Sequence, residues 1–248
     1  MRKFTLILLV HLFSSITAQE TIETDRPDQT ETPSVTPAGF LQIETGFLYE
    51  KVRDGAKSAS HRTVLWRYGL NDRFEMRMVT ELNSEQFGDD LRTGLAPIVF
   101  GFKAKLIQKK EMMPAVSFVG HLAAGNLASP VMQTVNWAPS FRFLIEHSLG
   151  EKLGLSYNLG AEWNGETPDA TSIYTIAASY AFTPQLSMFA EFYGFLNKHS
   201  TADHRFDSGF TYLLNNNLML DASAGVGLSE VSPNYFLSGG VSYRFPLR

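Results

Sequence analysis

Arg73-Phe74-Glu75-Met76-Arg77-Met78-Val79-Thr80-Glu81-Leu82 is the stretch that decides the fold class of this chain. Phe74, Met76, Met78, Thr80 and Leu82 fall on one parity, and Glu75, Arg77, Val79 and Glu81 on the other. A β-strand sends successive side chains to opposite sides. Period two therefore predicts a strand between two different environments, one apolar and one charged. The same alternation returns in about twelve stretches, and charge keeps almost entirely to one face.

The stretches cover about 39–51, 61–70, 73–82, 94–106, 113–122, 133–146, 152–163, 171–182, 186–197, 205–214, 217–228 and 235–245. Asn71-Asp72, Thr183-Pro184-Gln185 and Asn215-Asn216 read as tight turns after even-numbered strands. The links after odd-numbered strands are longer: 53–60, 83–93, 123–132, 164–170, 198–204 and 229–234. Short turns at one end and long loops at the other is the asymmetry of outer-membrane barrels, whose short turns are periplasmic. An even strand count then places both termini in the periplasm.

Alternation alone leaves the direction of the apolar face open, because a soluble sandwich or lipocalin-like barrel would bury it. Three features turn it outward. The strands run about 10–14 residues, enough for a tilted membrane crossing and long for a globular strand. Aromatic residues gather toward strand ends, with Tyr68, Phe74, Tyr180, Phe182, Tyr212, Tyr243 and Phe245 on the turn side. Tyr49, Trp137, Trp163 and Tyr174 lie on the loop side, so two girdles are expected at two interfaces. Finally, the other face gathers charges of both signs: Glu44, Arg67, Glu75, Arg77, Glu81, Lys103, Lys105, Arg142, Glu162, Glu191, Asp207, Asp221 and Arg244. An Arg or Lys facing lipid at mid-depth costs roughly 2–4 kcal/mol, which accounts for their exclusion from the apolar face. The expected class is all-β: a transmembrane antiparallel β-barrel of about 12 strands.

Composition agrees. The 248 residues, 44% hydrophobic with a formal net charge of −4, suffice for one large all-β domain. Mild acidity gives no reason to invoke nucleic acid. Cysteine is absent, which excludes a disulfide scaffold and thiolate metal sites. Met1-Arg2-Lys3, an apolar run over 4–16 and Thr17-Ala18-Gln19 predict a signal peptide over 1–18, too short in its apolar part for the roughly 20 residues of a membrane helix. Residues 19–38 form a polar, extended lead-in, and 39–248 form the barrel.

The lead-in Glu23-Thr24-Asp25-Arg26-Pro27-Asp28-Gln29-Thr30-Glu31-Thr32-Pro33 is followed by Gly39-Phe40-Leu41-Gln42-Ile43-Glu44-Thr45-Gly46. This T-D-R-P-D opening with a G-x-x-Q-x-E-x-G first strand resembles the outer-membrane transporter family named for the MetA pathway of phenol degradation. Val241-Ser242-Tyr243-Arg244-Phe245 near the end is similar to that family as well, although the chain departs from an aromatic ending by continuing with Pro246-Leu247-Arg248. The resemblance implies an outer-membrane barrel that passes small organic, including aromatic, compounds; passive diffusion through such a lumen requires no cofactor. The lipid bilayer and the barrel assembly machinery would be its partners.

The inward charges have two readings: a selectivity lining, or a salt-bridged, largely closed interior, with Glu81, Arg77, Lys103 and Arg142 able to bridge the bore. The lead-in also has two. Asp25, Arg26 and Asp28 form a plug if the segment folds into the lumen, with Arg26 expected to meet Glu44 or Glu75; otherwise the segment is a mobile periplasmic tail or a contact site for assembly factors. A surface-binding or structural barrel is the alternative to a transporter. A lipid-modifying enzyme is the third possibility. Ser117 and His121 share a strand face and Glu146 lies one strand away, but positions i and i+4 on a strand are about 13 Å apart, too far for a nucleophile–base hydrogen bond. His199, Asp203 and His204 sit in one loop beside Lys198, which would oppose a metal cation.

Overall fold

The structure is a computed structural model that describes residues 21–52, 57–110 and 113–247. The signal peptide expected over 1–18 lies outside the described residues. Among the described residues, thirteen antiparallel strands make one sheet. They are β1 (Phe40–Lys51), β2 (Lys57–Asn71), β3 (Phe74–Phe87), β4 (Asp90–Leu95), β5 (Ile98–Ile107), β6 (Ala115–Ala124) and β7 (Ala138–Ser148). They continue as β8 (Leu153–Glu162), β9 (Thr171–Ala181), β10 (Leu186–Leu196), β11 (Asp203–Asn215), β12 (Leu218–Gly227) and β13 (Tyr235–Pro246). Apart from β4 and β5, each strand pairs with its neighbour in sequence, and β1 pairs with β13 from Phe40↔Pro246 to Lys51↔Tyr235, which closes the cylinder.

β4 and β5 occupy one position in the wall. β3 pairs with β5 from Phe74 to Val79 and with β4 from Leu82 to Phe87. Pro97 separates the two strands, because it has no N–H to give the ladder. The Ala96 N–H still donates to Glu81 O at 2.9 Å, so the wall continues across the break. Counted this way the barrel has twelve staves, as the alternation predicts. Three expectations need correction. The single strand over 94–106 is broken in two. Part of the long loop over 83–93 is a hairpin that extends β3 and returns through Gly88, whose φ of 62° suits glycine. Residues 133–137, expected as strand, belong to a loop where Asn136 N–H donates to Gly165 O at 2.9 Å instead of to a ladder.

Burial is inverted relative to a water-soluble protein. Glu75 and Arg77 of β3 are 0% and 5% exposed, whereas Met76 between them is 48% exposed. Phe47, Phe100, Phe143, Ile176, Phe192 and Phe210 are exposed, while Glu44, Arg67, Lys103 and Glu191 are buried. A protein in water could not sustain this pattern; one with lipid outside and a polar lumen requires it. The turn-side aromatics pair in the expected girdle, with Tyr180–Phe182 and Tyr243–Phe245 ring centroids 5.2 and 5.7 Å apart. Bulges at Gly69/Asn71, Lys105/Ile107 and Leu213/Asn215 all sit at this turn-side rim, a usual place for them in barrels.

Candidate functional site: the ionic lumen and the segment within it

Twelve strands about 4.8 Å apart and tilted about 40° make a backbone cylinder of roughly 12 Å radius. In this structure residues 21–37 run through it. The Ile22 N–H donates to Asn216 O at the turn side (2.9 Å), and the Gly39 N–H donates to Gly69 O (2.9 Å) where the segment passes into β1. Between these points the chain loops into the lumen and back. Thr32 N–H donates to the Asp25 carboxylate at 3.0 Å, pinning the base of the loop.

Asp25 sits at the centre of a charged cluster. Its carboxylate lies 2.8 Å from Arg77 Nη1, 2.8 Å from Lys103 Nζ and 3.3 Å from Arg67 Nη1. Arg67 and Arg77 face each other directly across β2 and β3, an arrangement that repels unless anions intervene. Glu44, Glu75 and Asp25 intervene. Arg67 reaches Glu44 at 2.7 Å and Glu75 at 3.0 Å, while Arg77 also meets Glu31 at 3.0 Å. Burial pushes the Asp25 carboxyl up, but Arg67, Lys103 and Arg77 outweigh it and hold the group far below the usual carboxylate range. Asp25 is therefore a fixed anion.

Arg26 points to the other side of the bore. Its guanidinium donates to Asp221 Oδ1 at 3.0 Å, Asp221 Oδ2 at 3.3 Å and Ser238 Oγ at 3.0 Å. This differs from the expected contact with Glu44 or Glu75, because Arg67 already takes both. The slot exists because Gly46 and Gly240, paired across β1 and β13, have no side chain; a Cβ on either would overlap the Arg26 guanidinium. Further along, Glu191 accepts from Gln29 N–H at 2.8 Å and from Thr30 Oγ1. Asp28 faces Glu191 and Asp207, and burial together with the Glu191 charge pushes its carboxyl well up.

The lumen thus has two walls of opposite character at mid-depth. Arg67, Arg77, Lys103 and Arg142 come from β2 to β7, and Glu191, Asp207 and Asp221 from β10 to β12. Arg142 donates to Gln29 O at 3.0 Å. The other expected residues stand apart from this cluster. Glu81 accepts from Thr63 at 2.8 Å and meets His61 at 3.3 Å nearer the loops, so it does not bridge to Arg77, Lys103 or Arg142. Glu162, opposite Ser140, is also near the loop side. Lys105 lines a turn-side cavity of about 590 Å³ together with Glu23, Lys109 and Glu146. Arg244 donates to Asn217 Oδ1 at 3.1 Å and Asn216 O at 3.3 Å, tying down the β11–β12 turn.

Several neutral contacts escaped the charge-based reading. Asn158 accepts from Glu31 N–H at 2.8 Å, Ser117 donates to Pro33 O at 2.5 Å, and the Thr30 and Thr175 hydroxyls are hydrogen-bonded at 2.7 Å. The alternation places these residues on the inner face, but nothing in it says that a loop of the same chain would use them. Ser117 is committed to the segment, and the register sets Glu146 opposite Ala115 and His121 opposite Ser140, so no Ser-His-Glu triad assembles. His204 bonds Tyr174 at 2.8 Å and Asp203 bonds Arg205, away from His199, which meets Asp169. Among the described residues no group of three or more His, Asp or Glu converges on a metal position.

The chain is similar in structure to the COG4313 outer membrane channel from Pseudomonas putida F1, with a TM-score of 0.68 at 15% identity over 90% of this chain and 100% of that one. It is also similar to the KdgM porin, with a TM-score of 0.56 at 12% identity over 82% of this chain and 99% of that one. At these identities the likeness concerns the fold, which is that of outer-membrane barrels. No curated protein matches the chain. A family model matches residues 24–245, from the lead-in through the last strand, and the chain belongs to the family described as "Putative MetA-pathway of phenol degradation".

Proposed function

We propose that this protein is a passive outer-membrane channel for small organic solutes, held shut in this structure by its own N-terminal segment. The carrying observation is the bracing of two adjacent residues across the bore: Asp25 against Arg67, Arg77 and Lys103, and Arg26 against Asp221. Such a brace uses the charges of a polar lumen without filling it permanently. Once the segment withdraws, the lining returns to water and the cylinder offers an ionic path. No step requires a cofactor. The bilayer outside, the periplasmic location of both termini and insertion by the barrel assembly machinery belong to the same reading. The family's description extends the solutes to aromatic compounds.

The test is planar-bilayer conductance of the full chain against a variant lacking residues 20–34. The expected result is a rise in conductance on deletion. Equal conductance in both would overturn the plug. The density of buried ion pairs on the segment favours a second reading, a barrel braced shut that displays its loops. It predicts that the full chain never conducts and that deletion of the gene causes no uptake defect.

A further inference from the structure

We propose that the mid-lumen is a binding site for a dipolar solute, carrying a carboxylate at one end and a guanidinium or ammonium at the other, and that Asp25-Arg26 occupies this site as an internal ligand. This deepens the channel reading and rests on withdrawal of the segment.

The site has two halves. The first is a carboxylate slot. Arg77 and Lys103 each approach the Asp25 carboxylate at 2.8 Å and Arg67 at 3.3 Å, and these three side chains are at most 5% exposed. Without the segment, the three cations are opposed by two wall carboxylates, Glu44 and Glu75. One positive charge is left over, and an incoming carboxylate neutralises it. The second half is a guanidinium slot made of Asp221, Ser238 and the bare backbone at Gly46 and Gly240. Asp221 meets Arg26 from this wall, and emptying the slot leaves this anion to water until another cation takes the place of Arg26.

The halves hold the diverging side chains of two neighbouring residues, whose Cα atoms are about 3.8 Å apart. A solute of dipeptide size spans them. Charge-assisted hydrogen bonds to both ends would hold it as they hold the segment. A neutral solute of the same size leaves a desolvated charge at each end unpaired and is rejected for that reason. The tethered segment competes from a high effective concentration, so the solute binds best when the segment is absent or disarmed.

The experiment is calorimetric titration of the purified barrel lacking residues 20–34 with N-acetyl-Asp-Arg-amide, alongside the Asn-Arg and Asp-Gln counterparts. If that variant does not show the heat-modifiable mobility of a folded barrel, the full chain carrying Asp25→Asn and Arg26→Gln takes its place. Asp-Arg is expected to bind at least tenfold more tightly than either counterpart. Lys103→Met should abolish the preference for Asp over Asn, and Asp221→Asn the preference for Arg over Gln. Affinities within threefold of one another, or preferences that survive both substitutions, overturn the site. Conductance is measured on the same protein. A conducting barrel without the preferences refutes the site alone, and a non-conducting barrel with them refutes the channel alone.

Discussion

Replacing Asp25 with Asn isolates the central contact of the seated segment while keeping its shape. The carboxylate stands 2.8 Å from Arg77 and Lys103 and 3.3 Å from Arg67, and also accepts from Thr32 N–H at 3.0 Å. An Asn side chain can keep the Thr32 bond and lose the charge. Removing one partner of a buried ion cluster costs about 3–5 kcal/mol, chiefly by leaving the other charges unpaired out of water. That cost falls on the seated state alone, because withdrawal of the segment returns the three cations to water. With about 1.4 kcal/mol per tenfold, the ratio of open to closed barrel rises by about two to three and a half powers of ten. Single-channel recording at fixed voltage reads this as open probability, with heat-modifiable gel mobility confirming an intact barrel. Adding Lys103→Met to Asp25→Asn should recover part of the closure, since it removes one of the stranded cations. An Asp25→Asn barrel that is folded but opens no more than threefold above the unaltered protein would refute the bracing role.

Two other expectations follow from the same geometry. Asp28 has its carboxyl pushed well up when seated, so the seated state binds the extra proton, and lowering pH from neutral toward about 4 stabilises closure; conductance should fall over that range, and Asp28→Asn should flatten the response. Asp25 stays ionised throughout, because its seated value lies far below the window. Ile176, 45% exposed at the middle of β9, faces lipid, and Ile176→Arg should destabilise the barrel by about 2–4 kcal/mol in urea titration in lipid vesicles, while an unchanged midpoint would place that face elsewhere.

The barrel was legible because its signal is local and repeated. Glu75, Met76 and Arg77 declare two environments within three residues, and the structure buries the first and third while exposing the second. The signal fades where both faces meet water. Asn83, Ser84, Glu85 and Gln86 show no apolar alternation, yet their backbone keeps the ladder with β4, since strand hydrogen bonds do not depend on side-chain polarity. The lead-in carries no period at all. Its path depends on partners far along the chain, such as Asp221, 195 residues from Arg26. That Arg26 lies near inward carboxylates could be read from charge. Which carboxylate could not, because the choice depends on Arg67 having already claimed Glu44 and Glu75. Neutral residues such as Asn158 and Thr175 matter through backbone and hydroxyl groups that a survey of charges passes over.

The facing glycines of β1 and β13 also bear on how the cylinder is zipped. Gly46 lies opposite Gly240 at the seam joining first strand to last. A slip of one residue would turn inner side chains outward, and a slip of two would bring Ser238 or Ser242 opposite Gly46 in place of Gly240. Either misalignment breaks up the bare patch on which the Arg26 guanidinium rests. The stopper therefore doubles as a gauge: it seats only in a barrel whose two ends have met in the right register.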